Sequence, residues 1–185
     1  MAKVAKCVII KVIPERDKEK IMLYTKGDAV VYPMHGAGVI EDLEEQSIDG
    51  VSRSYYVLRI PIGDLKIMLA ADAVGNSNMR KIMGADDIAQ VMDTVVNMPH
   101  IPATANWAQR YKENLEKIKS GELSDAAVVF RSLYSRERAR GLSSAEKKML
   151  TTVKKIMLSE IMLSYKVEKG EAEKILEKSM GFAED

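Results

Sequence analysis

The residues of this chain best suited to chemistry are a flat aromatic ring and the cations around it. Trp107 is the only tryptophan, and it opens a basic segment, NWAQRYKENLEKIKSG (residues 106–121), with Arg110 and Lys112 close behind. An indole beside cations can stack on an exposed base or enter a duplex step while the cations hold phosphates. Lys147 and Lys148, in GLSSAEKKML, extend the same kind of surface. The structural alternative is a plain core stripe, because Trp107, Tyr111, Leu115 and Ile118 recur at helical spacing on one face. No other group of residues assembles a reaction. His35 lies in a glycine-rich turn and His100 in a proline-rich linker, and neither has a His or Cys partner at metal-ligand spacing. His35-Gly36-Ala37-Gly38 lacks the Lys-Ser/Thr ending of a phosphate-binding loop and the helix of a dinucleotide fingerprint, so it reads as a tight β-turn. There is no G-x-S-x-G elbow, and Glu44-Glu45 and Asp86-Asp87 read as a sheet rim and a helix first turn. The expectation is a binding protein, not an enzyme, with no catalytic residue, metal site, cofactor or small-molecule substrate.

The elements that must position these residues change character near residue 75. Before it, Ala29–Tyr32, Gly38–Leu43, Ser54–Ile60 and Leu65–Leu69 are short runs rich in Val, Ile, Leu and Tyr, which read as strands. Pro33 with the glycine-rich turn, Asp49-Gly50, and Pro61 through Gly63-Asp64 punctuate them with fixed or positive φ. A small antiparallel barrel or bent sheet of about five strands follows. After residue 75 the period is helical. Ile88, Val91, Met92 and Val95 mark one helix, stopped by Pro99 and Pro102. The Trp107 helix comes next, with Asn106 as N-cap and Gly121 just past its end. Helices over about Ser124–Arg140, Ser143–Lys166 and Lys169–Met180 complete the chain, and Ser143 with Glu146 forms a capping box. Residues 1–22, 23–75 and 76–185 are therefore expected to form an extension, a β-rich domain and a helical domain: an α+β protein with about five helices.

Charge divides along the same lines. The formal total of +1 conceals six Lys/Arg against three Asp/Glu in residues 1–22, four against eight in residues 23–75, and twelve against six in residues 106–155. The sheet half is acidic, and the center of the helical half carries a positive balance suited to a phosphate-bearing partner. A single cysteine, Cys7, excludes an internal disulfide and fits a reducing cytoplasm. The apolar stretch Val8–Ile13 contains Lys11 and is far too short for a membrane span, so neither a signal peptide nor an anchor is expected.

Four segments, in order, carry a resemblance: KGDAVVYPMHGAGVI (residues 26–40), YYVLRIPIGDLKIML (55–69), NWAQRYKENLEKIKSGE (106–122) and RERARGLSSAEKKML (136–150). Over about residues 23–180 the chain resembles the CarD/CdnL family of bacterial transcription regulators. The first two segments are also similar to the polymerase-interacting domain of transcription-repair coupling factors, but the helicase motifs of those proteins are missing. The resemblance implies a Tudor-like sheet domain that binds the β1 lobe of the RNA polymerase β subunit by a strand edge. It also implies a helical domain that reaches promoter DNA at the upstream edge of the −10 element. Leu65, Lys66, Ile67, Met68 and Leu69 form the candidate edge. Gln46 and Met68 stand where some members have arginines, leaving Arg53 or Lys66 to supply charge. Trp107 matches the family's wedge tryptophan, Arg110, Lys112 and Lys147 its DNA-contacting cations, with Lys148 alongside; Gln109 stands where some members have another arginine. The implied mechanism is stabilization of the promoter open complex by a cytoplasmic, nucleoid-associated protein. Two other readings stay open at this level: an adaptor whose helices dock another protein, and a small RNA-binding module using its barrel face.

Overall fold

In the structure, a computed structural model that describes residues 7–9, 23–48, 51–99 and 106–182, the chain forms one six-stranded sheet and five helices. The strands are β1 (Cys7–Ile9), β2 (Ala29–Tyr32), β3 (Gly36–Ile48), β4 (Val51–Ile60), β5 (Leu65–Ala70) and β6 (Arg80–Lys81), ordered β1-β5-β4-β3-β2-β6. All pairings are antiparallel except that of β1 with β5. The helices are α1 (Ala85–Asn97), α2 (Trp107–Ser120), α3 (Leu123–Arg140), α4 (Ser144–Tyr165) and α5 (Lys169–Ser179). The α+β expectation holds, with the sheet continuing to Lys81 instead of ending near residue 75.

Two strands are longer than their apolar runs. β3 continues through Glu44, Glu45 and Gln46 to Ile48, in register with β4 from Leu43↔Tyr56 to Ile48↔Val51. The ladder's backbone hydrogen bonds carry this arm where no alternation of apolar side chains marks it. The Asp49-Gly50 turn, His100 and Pro102 lie outside the described residues.

Each half has its own core. Val30, Ile40, Tyr56, Leu58, Ile60, Ile67 and Leu69 close the sheet, while Ile88, Met92, Phe130, Met157, Ile161 and Leu176 draw α1, α3, α4 and α5 together. Helix ends follow their chemistry. Gly121 takes φ +79° past the end of α2, where any Cβ would be strained, and Ser143 and Glu146 close both arms of a capping box on α4.

A polar joint fastens sheet to bundle. Glu160 of α4, 1% exposed, accepts two bonds from the Arg80 guanidinium of β6, at 2.6 and 2.9 Å, and one from the Met83 backbone N–H at 3.0 Å. Arg80 Nε also donates to the Gly121 carbonyl at 2.9 Å. Beside it the Ala37 N–H donates to Ser159 Oγ at 2.7 Å. Gly36 has φ +104°, and a Cβ there would meet Ser159 Oγ at 2.5 Å and the Ile156 backbone at 3.3 Å. Only glycine lets the β2–β3 turn approach α4 so closely.

Candidate functional site

Asn106 starts α2 by accepting the Ala108 and Gln109 N–H groups on its side-chain oxygen, at 3.0 and 3.3 Å. Trp107 in the first turn is 45% exposed, so the core reading of its stripe fails at this end. Exposure falls along the face, through half-buried Tyr111 and Leu115 to buried Ile118. Side chains lean toward a helix's N-terminus, and the first one on the stripe therefore overhangs the packed layer. One face of the indole stacks on Tyr111, with centroids 5.7 Å apart and planes 28° apart. Its Nε1–H donates to Ser143 Oγ at 3.2 Å. That hydroxyl also accepts the Glu146 N–H at 3.3 Å and donates to Glu146 Oε2 at 2.8 Å.

Glu146 is the buried center of a charge cluster. It accepts the Ser143 N–H at 3.1 Å and a bond from Arg110 Nη2 at 3.4 Å, and Arg136 Nε lies 3.8 Å away. Desolvation pushes its pKa up, but the bonds from Ser143 and Arg110 and the charge of Arg136 together outweigh it, and the net shift is downward. The Arg136 pKa is lowered, first by desolvation and then by Arg110 and Arg140 nearby.

Arg110 therefore departs from expectation. It is only 8% exposed and pairs with Glu146, joining α2 to the start of α4 instead of presenting its guanidinium to solvent. The spacing that suggested a phosphate contact, three residues after Trp107, places Arg110 beneath the stripe. Lys112, Lys147 and Lys148 are exposed, and Lys147 pairs with Glu137 of α3 at 3.2 Å. Lys147 and Lys148 rise from the first two turns of the helix whose cap holds the indole, while Lys112 lies about 140° around α2 from Trp107. Sequence reasoning missed Ser143 as the indole's partner, Arg136 as a neighbor of Glu146, and Arg140 as a charge acting on Arg136. The GLSS-E capping box was legible, but its contact with a ring 36 residues away was not.

At the sheet, Glu44, Gln46, Arg53, Lys66 and Met68 share one face. Gln46 Nε2 reaches Met68 Sδ at 3.8 Å, so the two positions where relatives place arginines touch each other here. Lys66 lies 4.0 Å from Glu44, and Met68 is buried with Tyr55 and Ala70. Leu65, Ile67 and Leu69 turn into the sheet core, which leaves only their backbone for an incoming strand. The expectation of an open β5 edge is corrected: β1 runs parallel along it, with Cys7↔Lys66, Val8↔Ile67 and Ile9↔Met68. The short run Cys7–Ile9 pairs with the edge's backbone over Lys66–Met68. Of the stretch Val8–Ile13, only Val8 and Ile9 lie within the described residues.

Other candidates are structural. His35 stacks on Tyr32 with centroids 5.0 Å apart, and its Nδ1 lies 3.1 Å from the Pro33 carbonyl oxygen. Tyr55 and Tyr56 are buried and Tyr32 half-buried, a poor platform for stacking bases. Among the described residues, no group of three or more His, Cys, Asp or Glu is placed to hold a metal ion, and no helix is long and apolar enough to cross a membrane.

Comparison with known proteins matches both halves. Residues 24–83 match the CarD-like/TRCF RID domain, and residues 90–177 match the CarD C-terminal domain. The chain is 35% identical over 159 residues to the "Putative transcription factor YdeB" of Bacillus subtilis (strain 168), an alignment that covers 86% of this chain and 100% of the relative. With a sheet half and a helical half each matched in order, and a relative covered end to end, the chain belongs to the CarD/CdnL family of bacterial RNA-polymerase-binding transcription regulators.

Proposed function

We propose that the protein holds the β1 lobe of the RNA polymerase β subunit at the edge of β5 and stabilizes the promoter open complex by placing Trp107 against the upstream fork of the melted DNA, near the −10 element. The sheet half, through Lys81, serves as the polymerase-binding domain, and the helical half as the DNA-contacting domain. The observation that carries this reading is the exposed indole, stacked on one side by Tyr111 and hydrogen-bonded through its only polar atom, with apolar surface left over. A melted promoter ends in a fork whose last stacked pair is uncovered, and a ring in that step opposes reclosure. A contribution of about 1.4 kcal/mol to the open state raises its population ratio about tenfold, with no nucleotide hydrolysis. Lys112, Lys147 and Lys148 approach phosphates and fix register without reading sequence. Arg110 acts indirectly, by anchoring Glu146. On the polymerase side the incoming strand takes the place of β1, using backbone groups, with Arg53 and Lys66 supplying charge.

Trp107→Ala tests this. A half-exposed ring should cost about 1–2 kcal/mol of folding stability, well below the 3–5 kcal/mol of a fully buried one. Polymerase binding should persist while open-complex lifetime shortens. An unchanged lifetime in a folded, polymerase-bound variant would overturn the proposal.

A further inference from the structure

We infer that Ser143 is a positioning residue for Trp107, aiming the indole before DNA arrives; this rests on the reading of Trp107 as the DNA-contacting ring. A serine hydroxyl has one donor and two acceptor lone pairs. Here all three are used: the proton goes to Glu146 Oε2 at 2.8 Å, and the lone pairs take the Glu146 N–H at 3.3 Å and the indole N–H at 3.2 Å. Donation to Glu146 turns the lone pairs toward the two N–H groups, which makes the hydroxyl an oriented acceptor. Glu146 is itself fixed by Arg110 from α2, with Arg136 from α3 close by. The ring's aim is therefore set by three helices.

Two contacts, one on a face and one at an edge, define the pose. Tyr111 supports the ring's face and Ser143 holds its edge. A half-exposed tryptophan without such contacts would sample several staggered rotamers, and ordering it would weigh against binding. With the N–H already engaged, the ring offers an incoming base step only apolar and π surface. The contact is then tolerant of sequence, as a partner working beside a separate promoter-recognition factor requires.

The test uses the full-length protein, in which Trp107 is the sole indole reporter. In the wild type, exchange of the indole N–H with solvent should be slower than in free tryptophan; an equal rate overturns the inference without any variant. Ser143→Ala should speed local rotation of the ring in fluorescence anisotropy decay and raise its quenching by acrylamide. It should shorten open-complex lifetime about two- to tenfold, the span expected for ordering one side chain, with polymerase binding unchanged. Ser143→Thr keeps the hydroxyl and should restore all three readouts. Loss of the α4 cap is separated by repeating Ser143→Ala on Trp107→Phe, which has a ring but no N–H. If Ser143 acts through the indole, the second change adds nothing to the lifetime loss; an equal loss in both backgrounds means that it acts only by capping α4, and the inference fails. If Trp107→Ala leaves the lifetime unchanged, the DNA reading falls instead, while ring mobility and N–H exchange still decide the Ser143 contact.

Discussion

Changing Glu160 to glutamine should loosen the joint between sheet and bundle while sparing the core of each. Glu160 is buried and receives three hydrogen bonds, two of them from Arg80, whose side chain is 19% exposed. Breaking a buried ion pair by removing one partner costs about 3–5 kcal/mol, because the remaining charge is left without compensation. Two features reduce this: the amide oxygen of glutamine can keep one bond, and Arg80 retains the Gly121 carbonyl and some access to water. We expect a loss of about 2–3 kcal/mol, within the roughly 5–15 kcal/mol that domains possess, so the variant stays folded. Urea denaturation measures the loss. A promoter assay should then show near-normal polymerase binding with a shortened open-complex lifetime, because the helical half, proposed to contact DNA, is no longer held at a fixed angle to the sheet half. A stability loss under about 0.5 kcal/mol would mean that the pair behaves as an exposed one, and the reasoning from burial would be refuted.

The remaining predictions concern the rest of the site. Glu146 has a lowered folded pKa, so its contribution to stability is present above its unfolded value of about 4.3 and fades as pH falls through the folded value. The stability gap between the wild type and Glu146→Gln should therefore be constant from neutrality to about pH 5 and narrow in denaturation curves below about pH 4. Neutral replacement of Lys112 or Lys148 should reduce the salt dependence of promoter-complex formation by roughly 0.9 for each phosphate that is no longer neutralized, whereas Arg110→Met should lower thermal stability and leave that slope unchanged. Deleting residues 1–22 should raise affinity for the isolated polymerase lobe, because β1 occupies the β5 backbone at Lys66–Met68; a lower affinity would show that β1 supports the contact.

The sequence was most legible where local chemistry decides the outcome. Asn106, Gly121 and the Ser143–Glu146 box marked helix ends because each satisfies backbone groups within its own turn. The apolar runs of β2, β4 and β5 marked strands because those strands close the sheet core. Legibility failed where a long-range contact decides. Periodicity put Trp107 and Ile118 on one stripe but could not show that the bundle covers only the far end of it. Arg110 is a cation among cations in one dimension, and only the fold brings Glu146 beneath it. The outer part of the β3–β4 arm escaped notice because its ladder is held by backbone bonds between acidic and polar residues, and β6 because two residues carry no period at all.

The sheet's two ends have a consequence for the protein between its encounters with polymerase. A strand such as β5, with side chains buried on one face and backbone groups along its border, is a template on which any extended chain can grow, including the same strand of another copy. At the far border, β6 offers two residues, one turned to Glu160 and the other, Lys81, 3.8 Å from Asp28, which is too short and too charged to extend. At the near border β1 covers Lys66–Met68, the stretch proposed above for strand addition. Among the described residues this parallel cover pairs Cys7–Ile9 with Lys66–Met68, and while it is in place those backbone groups are not open to the same strand of another copy. A β5 edge used for strand addition, as proposed, would be kept by this cover from seeding sheet-to-sheet aggregation between copies.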